Sequence, residues 1–278
     1  MRIWHQGLVV MDDVLDYRTA LEKHIKNAVR PGTEVVVHGL IPGTYTRDYP
    51  IGDLQHGSFS YIHHTQTLAA AVAAQQQGFD AYAMGFLSSG LLQEARSLVE
   101  IPVVCYGEAA CHFASFYGQR FGMIRFAPEL IRRTEDIVRG MGFEKNFAGV
   151  APAGFTYQDI FGKFENAGAT IDRFKETVRR FVKETGADVI IPGEMPMNVF
   201  LASNGVNRVD DVPIVDGMAV TLLLAEMMVD MRERLGLFHS RHGQANMEPP
   251  QKRLRQIVEF YGMEKIWQAM GVDPSAMT

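Results

Sequence analysis

The sequence predicts an α/β protein of two lobes, each built on a parallel sheet, that share one cleft. Three observations carry that expectation. Ala187-Asp188-Val189-Ile190-Ile191-Pro192-Gly193-Glu194-Met195 is a short apolar run closed by turn residues, the pattern of a strand buried on both faces. The same shape, an Asp, an apolar run and a Gly, stands 108 positions earlier in Phe79-Asp80-Ala81-Tyr82-Ala83-Met84-Gly85-Phe86. Each copy leads to a second strand signature, Ile101-Pro102-Val103-Val104-Cys105 and Val212-Pro213-Ile214-Val215-Asp216. We read this as an internal duplication of an α/β unit and not a short-period solenoid; the competing reading is that such strands recur by accident in any α/β chain. Duplication sets two strand tips, near Gly85/Phe86 and at Glu194, across a shared cleft, and the carboxyl ends of parallel strands are where open α/β sheets hold ligands.

Taken in order, Ile3 to Val10 is apolar enough for a first strand, and His5, Gln6 and Gly7 interrupt it as a ligand-facing tip or an edge strand would. Asp12-Asp13 precedes a helix whose apolar positions Val14, Tyr17, Leu21, Ile25 and Ala28 keep helical spacing, and Pro31-Gly32 ends it. Thr33 to His38, rich in Val, is the second strand. Gly39 to Asp53 has no periodicity, and a long loop in an α/β chain is usually functional. Tyr45, Arg47 and Tyr49 lie on it, so it either folds over the cleft with a guanidinium for a carboxylate or is a solvated loop. His63-His64 opens a helix of alanines and glutamines that stops at Gly78. Ser88-Ser89-Gly90 begins the next helix with amides suited to an anion.

The fourth strand, Ile101 to Cys105, runs into Gly107-Glu108-Ala109-Ala110-Cys111-His112. A second lobe follows, with Arg120 to Arg125 as its first strand, a helix from Pro128 to about Gly140, and Phe147 to Ala151 as its next strand. The irregular Pro152–Gly168 segment, with Tyr157, Asp159 and Phe161, takes the place that the Tyr45 loop has in the first lobe. Ile171, Phe174, Val178, Phe181 and Val182 mark the helix that delivers the chain to the 187–195 strand. Met195 to Asn204 is a short helix, and a methionine-rich helix follows Asp216 with Met218, Leu222, Ala225 and Val229 as core positions. The tail from Leu235, with Arg241 and Pro249-Pro250, is an addition packed on the first lobe or on a partner subunit. The expected division is 1–115 plus 210–278 for the first lobe and 116–209 for the second, with no flexible linker between them.

Composition bounds the function. A chain of 278 residues with 47% hydrophobic and 21% charged residues is an ordinary globular protein. A net charge of −5, with no basic tail or block, argues against nucleic acid. Two cysteines make no disulfide framework, the N-terminus has no secretory apolar region, and no run approaches the roughly 18 apolar residues of a membrane span. The expectation is a cytoplasmic protein that binds a small molecule, away from membranes, as a homo-oligomer.

With these residues on the page, the chain resembles the aspartate/glutamate/hydantoin racemase superfamily, and its hydantoin-racemase-like branch in particular. The likeness rests on Arg2-Ile3-Trp4-His5-Gln6, on Gly78-Phe79-Asp80 leading to Gly90-Leu91-Leu92-Gln93-Glu94-Ala95-Arg96, and on Ile101-Pro102-Val103-Val104 and Gly107-Glu108-Ala109-Ala110. Gly186-Ala187-Asp188-Val189-Ile190-Ile191 and Val212-Pro213-Ile214-Val215-Asp216 complete it, in the family's order. The resemblance implies two Rossmann-like lobes with parallel sheets related by pseudo-twofold symmetry and an active site in the cleft between them. It also implies cofactor-free proton transfer at a carbon beside a carboxylate or ring carbonyl, done by two thiols facing opposite sides of that carbon. This chain departs at both places: Gly85 or Phe86 stands at the first thiol position and Glu194 at the second.

What remains is one carboxylate at the centre. A partly desolvated Glu194 has its pKa raised and can serve as a general acid or base; the alternative is that it only favours the start of the following helix. A lone acid works from one face, so the sequence ranks hydrolysis or a lyase reaction on a small carboxylate or hydantoin-like cyclic amide first. A true racemase (isomerase) with an unidentified second proton donor comes second, and a non-catalytic binding protein third. The candidate catalytic residues are Glu194 and His38, and the candidate substrate-binding residues are Gln6, Tyr45, Arg47, Gly85, Phe86, Ser88, Ser89, Met195 and Asp216. No organic cofactor is expected. His5, His38, His63, His64 and Glu194 are types that bind a divalent metal such as zinc, but their spacings form no ligand signature. Cys105 has the only thiol with a route to the cleft, while Cys111 falls inside a helix.

Overall fold

A computed structural model describes residues 1–45, 51–87, 91–161, 164 and 167–277. The first lobe begins β1 (Arg2–Gln6), α1 (Leu15–Ala28), β2 (Glu34–His38), α2 (Ile51–Leu54), α3 (Gly57–Gln76) and β3 (Ala81–Met84). It continues through α4 (Leu92–Leu98) and β4 (Val103–Cys105), and α5 (Tyr106–Tyr117) leads away from it. The second lobe holds β5 (Phe121–Arg125), α6 (Ile131–Gly140), β6 (Phe147–Pro152), α7 (Gly168–Thr185), β7 (Val189–Pro192) and α8 (Met195–Ser203). A small hairpin, β8 (Arg208–Val209) and β9 (Val212–Pro213), precedes α9 (Gly217–Leu235), and α10 (Gln251–Phe260) and α11 (Glu264–Ala269) form the tail.

The duplication is visible in the sheets. The first has strand order β2-β1-β3-β4 and the second β6-β5-β7, all neighbours parallel. A parallel bridge from Ile190 to Ile214 adds the fourth place to the second sheet, so both lobes repeat one order. Every residue of β3, β4, β5 and β7 is buried, which is why these strands read as continuous apolar runs and not as alternating ones. Helices α5 and α9 pack on each other, α5 against β7 and α9 against β3, so the two lobes meet in one continuous core.

Four local expectations change. β1 stops at Gln6 and a 3₁₀ turn, Met11–Asp13, follows, so the strand does not reach Val10. α3 starts at Gly57, so His63 and His64 lie inside it and do not open it. The strand expected over Val212–Asp216 is cut short: Val212–Pro213 pairs antiparallel with β8, the amide of Ile214 goes to Asn207, and the amide of Val215 rejoins Ile190. Ile214, assigned above to the first lobe by the boundary at 210, is therefore hydrogen-bonded into the second sheet. Of the two places expected for the tail, the first lobe is the one observed: Val258, Trp267, Met270 and Met277 pack with Trp4 and Ala69–Ala74. Arg241 also donates to the carbonyls of Arg96 and Val99. No helix among the described residues is long and apolar enough to cross a membrane.

Candidate active site

β3 ends at Met84 and presents Gly85 and Phe86; β7 ends at Pro192 and presents Gly193 and Glu194, where α8 begins. These tips border one cleft with an empty volume of about 750 Å³ including its open mouth. Gly7–Val9, Ser60, His64 and Gly85–Leu87 line it from the first lobe; Arg125, Arg133 and Gly193–Pro196 line it from the second.

Glu194 is the best-held polar group there. Its side chain makes no capping bond to α8; the carboxylate instead accepts from Arg125 Nε at 2.6 Å and from the Phe126 amide at 3.3 Å. Both partners are nearly sealed from water, with side chains 3% and 8% exposed for Glu194 and Arg125. Burial pushes the Glu194 carboxyl above the ordinary carboxylate range, and the Arg125 guanidinium and the Phe126 and Ala127 amides pull it back. Every partner is a donor, so these contacts favour the ionised form. Arg125 is clamped at its other end, where Nη1 donates to Thr134 Oγ1 and that hydroxyl donates to the Leu130 carbonyl. Gly193 makes the pairing possible, since a Cβ there would overlap Arg125 Cγ.

Two more basic groups face the cleft. Arg133, half-buried on α6, donates Nη1–H to the Leu54 carbonyl at 3.1 Å, which ties the lobes together beside the cleft. Burial and the neighbouring Arg125 hold the Arg133 pKa below its usual value. His64 is buried on α3 with Nδ1 2.5 Å from the Ser60 carbonyl and its ring edge-on to Phe86 at 5.4 Å. A carbonyl can only accept, so that contact makes Nδ1 the donor. Burial lowers the His64 pKa to about 4, with Arg133 and His63 adding to the shift and the Ser60 carbonyl opposing it. Among the described residues, two guanidiniums against one carboxylate give the cleft a positive bias toward an anionic substrate or transition state.

Neither Gly85 nor Phe86 at the first tip carries a reactive side chain. Phe86 is apolar, and Gly85 has no room for one: a Cβ there would overlap Nε2 of His5. His5 is 1% exposed, neither ring nitrogen has a hydrogen-bond partner, and burial with His38 nearby lowers its pKa to about 4.

Glu194, Gly85, Phe86 and Met195 thus meet as expected, whereas other expected residues lie elsewhere. His38 is not at the cleft. Alternation along β2 turns it to the same face as Val36, where it stacks on Trp4 at 3.4 Å with Nδ1 3.1 Å from the Val36 carbonyl. Gln6 is used structurally, donating to the Gly7 and Gly39 carbonyls and accepting from Trp4 Nε1. Tyr45 Oη accepts from the Val10 amide, and Tyr45 is not among the residues that line the cleft. Asp216 caps α9 by accepting from Ala219, accepts from Asn198 Nδ2 at 2.7 Å, and sits 2.8 Å from His24 Nε2. Cys105 is fully buried, with Sγ donating to the Phe86 carbonyl, so its expected route to the cleft is closed; Cys111 is buried too. Arg47, Ser88 and Ser89 lie outside the described residues. Among the described residues no group of three or more His, Cys, Asp or Glu is placed to hold a metal ion.

Sequence reasoning missed Arg125 and Arg133, and considered His64 only as a metal-binding type. For Arg125 a signal existed: it ends a buried central strand, where a charge is retained only with a partner. Arg133 and His64 carry no such local mark.

A family model described as Asp/Glu/Hydantoin racemase matches residues 14–225. The chain is 26% identical over 160 residues to a hydantoin racemase from Pseudomonas sp. (strain NS671), covering 58% of this chain and 62% of that one. It is 25% identical over 175 residues to the hydantoin racemase of Paenarthrobacter aurescens, covering 62% of this chain and 72% of that one. The chain thus spans less than two thirds of the length of the Pseudomonas relative. Among solved structures it resembles the allantoin racemase from Klebsiella pneumoniae, with a TM-score of 0.69 and 23% identity over 90% of this chain and 94% of that one. It also resembles the allantoin racemase from Pseudomonas fluorescens, with a TM-score of 0.70 and 22% identity over 90% of this chain and 97% of that one. At that identity the structural likeness speaks to the fold alone.

Proposed function

The chain belongs to the Asp/Glu/hydantoin racemase family, and from that premise we propose that it is an isomerase that inverts a carbon acid in a small carboxylate or hydantoin-like cyclic amide without a cofactor. The observation that carries the reading is the sealed Arg125–Glu194 pair at the second strand tip, opening on the inter-lobe cleft. The Glu194 carboxylate takes the proton from the carbon beside the carbonyl. The C–H electron pair moves into an enolate, and the negative charge that develops on its oxygen is favoured by the fixed positive charges of Arg125 and Arg133. Preorganised charge of this kind usually contributes more than any other effect to lowering such barriers, and a positioned general base adds about 10²–10⁴-fold. Neither cysteine lines the cleft, so thiol chemistry has no place in the scheme.

The hydantoin racemases among its relatives favour inversion over the hydrolase or lyase reaction that the sequence ranked first. That ranking rested on Glu194 acting alone. The test incubates each enantiomer of 5-methylhydantoin, of allantoin and of aspartate with the protein in deuterated water. Loss of optical rotation with deuterium at the stereocentre is expected on at least one compound, and Glu194→Gln should lower that rate by more than 100-fold. A ring-opened product with the rotation unaccounted for by inversion would return the site to hydrolysis.

A further inference from the structure

We propose that His64 is the second proton-transfer group, working on the substrate face opposite Glu194. The assignment rests on the isomerase reading, which requires a donor on each side of one carbon. The duplication says where the second group belongs. The residue 108 positions before Glu194 is Phe86, so the opposite face is the one that Phe86 borders. Phe86 has no transferable proton. Gly85 beside it can take no side chain, because the His5 ring fills that space.

His64 is the group that the fold brings there instead. It comes from the first lobe, lines the same cleft as Glu194, and holds its ring against Phe86. The other titratable side chains described around the cleft are poor exchangers near neutral pH: Arg125 and Arg133 stay charged, and burial drives the Tyr17 phenol far above its usual pKa. The Ser60 carbonyl fixes the tautomer and the ring angle, the orienting contact that a general acid–base histidine needs. Among the described residues, Arg133 from α6 and the neighbouring His63, itself paired with Asp53 at 3.0 Å, act on His64 electrostatically. Both oppose the imidazolium. An enolate in the cleft opposes them in turn.

The proton balance closes. In one direction the Glu194 carboxylate takes the proton from carbon, the C–H pair becomes the enolate, and the His64 imidazolium returns a proton to the other face as the enolate electrons re-form a C–H bond. The enzyme is then left with a neutral imidazole and a protonated Glu194. The opposite enantiomer meets that form and runs the steps in reverse, so no outside acid or oxidant is needed.

The test separates the two faces. Each enantiomer of the 5-methylhydantoin, allantoin and aspartate panel is exchanged in deuterated water with wild type, Glu194→Gln, His64→Gln, His64→Phe and His5→Leu, before inversion accumulates. Both His64 variants should lose exchange of one enantiomer by at least 100-fold while keeping that of the other within about tenfold, and Glu194→Gln should show the mirror pattern. His64→Gln keeps a side-chain amide for the Ser60 carbonyl, so a shared defect in the two variants is not a packing effect. Equal losses for both enantiomers, no loss, or an enantiomer-specific loss in His5→Leu would overturn the assignment while leaving the isomerase reading in place. Absence of exchange by the wild type on the whole panel would instead refute that reading, and the assignment with it.

Discussion

Replacing Arg125 with methionine isolates the electrostatics of the cleft. The thioether keeps most of the stem that packs beside Gly193 but removes the guanidinium that lies 2.6 Å from Glu194. The carboxylate is then left 3% exposed with only backbone amides to answer it. Breaking one side of a buried ion pair costs about 3–5 kcal/mol, since an uncompensated charge stays behind. Arg125→Met should therefore lose about 3 kcal/mol or more in urea unfolding at pH 8. The loss should shrink on acidification. Without Arg125 the folded carboxyl rises further above its unfolded value, so the folded state holds more protons and stability falls as pH rises. At pH 5 the same variant should recover part of the deficit. The double variant Arg125→Met/Glu194→Met should be more stable than Arg125→Met alone, because it leaves no buried charge. A loss under about 1 kcal/mol, no dependence on pH, or additive single losses would refute the claim that the pair is sealed and interdependent.

The remaining predictions concern the first tip and the pH response. His5→Leu should stabilise the protein by about 1 kcal/mol, because it removes two buried ring nitrogens without partners, as thermal unfolding would report. It should also blunt acid unfolding. A folded pKa of about 4 against 6.5 in the unfolded chain means that stability is lost as pH falls from about 6.5 to 4, by up to about 3 kcal/mol for this group. Gly85→Ala should destabilise by roughly 1–3 kcal/mol through overlap with His5, and adding His5→Ala should restore part of the loss. Inversion needs one proton shared between Glu194 and His64, so kcat/KM should fall as pH rises past the elevated Glu194 pKa, an alkaline limb that a pH–rate profile from pH 5 to 9 would trace.

The fold was legible because burial on both faces writes a strand as an unbroken apolar run, and because the run at Val189 repeats the one at Ala81. The site was legible where chemistry coincides with a strand end: Gly-Glu after Pro192, and Gly-Phe after Met84. Elsewhere, periodicity says which residues share a face but not which face the cleft lies on. His38 was misplaced for that reason, sharing the face of β2 that carries Val36 and meets Trp4. Arg125 and Glu194 are 69 residues apart, and their bond depends on a glycine that lets one side chain pass. His64 looks in sequence like one polar residue in a helix of alanines, and only the packing of α3 beside Phe86 gives it a role. Gln6, Tyr45 and Asp216 had the right chemistry and proximity to strand ends, but each is occupied by a nearby backbone or side-chain group.

The central claim is that Glu194 moves a proton to and from carbon inside the inter-lobe cleft. The most direct measurement follows a single enantiomer of 5-methylhydantoin, allantoin or aspartate in deuterated water by polarimetry and mass spectrometry together, with wild type and Glu194→Gln side by side. The account predicts that rotation decays toward zero as the intact compound gains one deuterium at its stereocentre, and that the variant inverts neither enantiomer and fails to exchange the one whose proton Glu194 takes. Decay accompanied by cleavage products without deuterated starting compound, or equal rates in the two proteins, would contradict it.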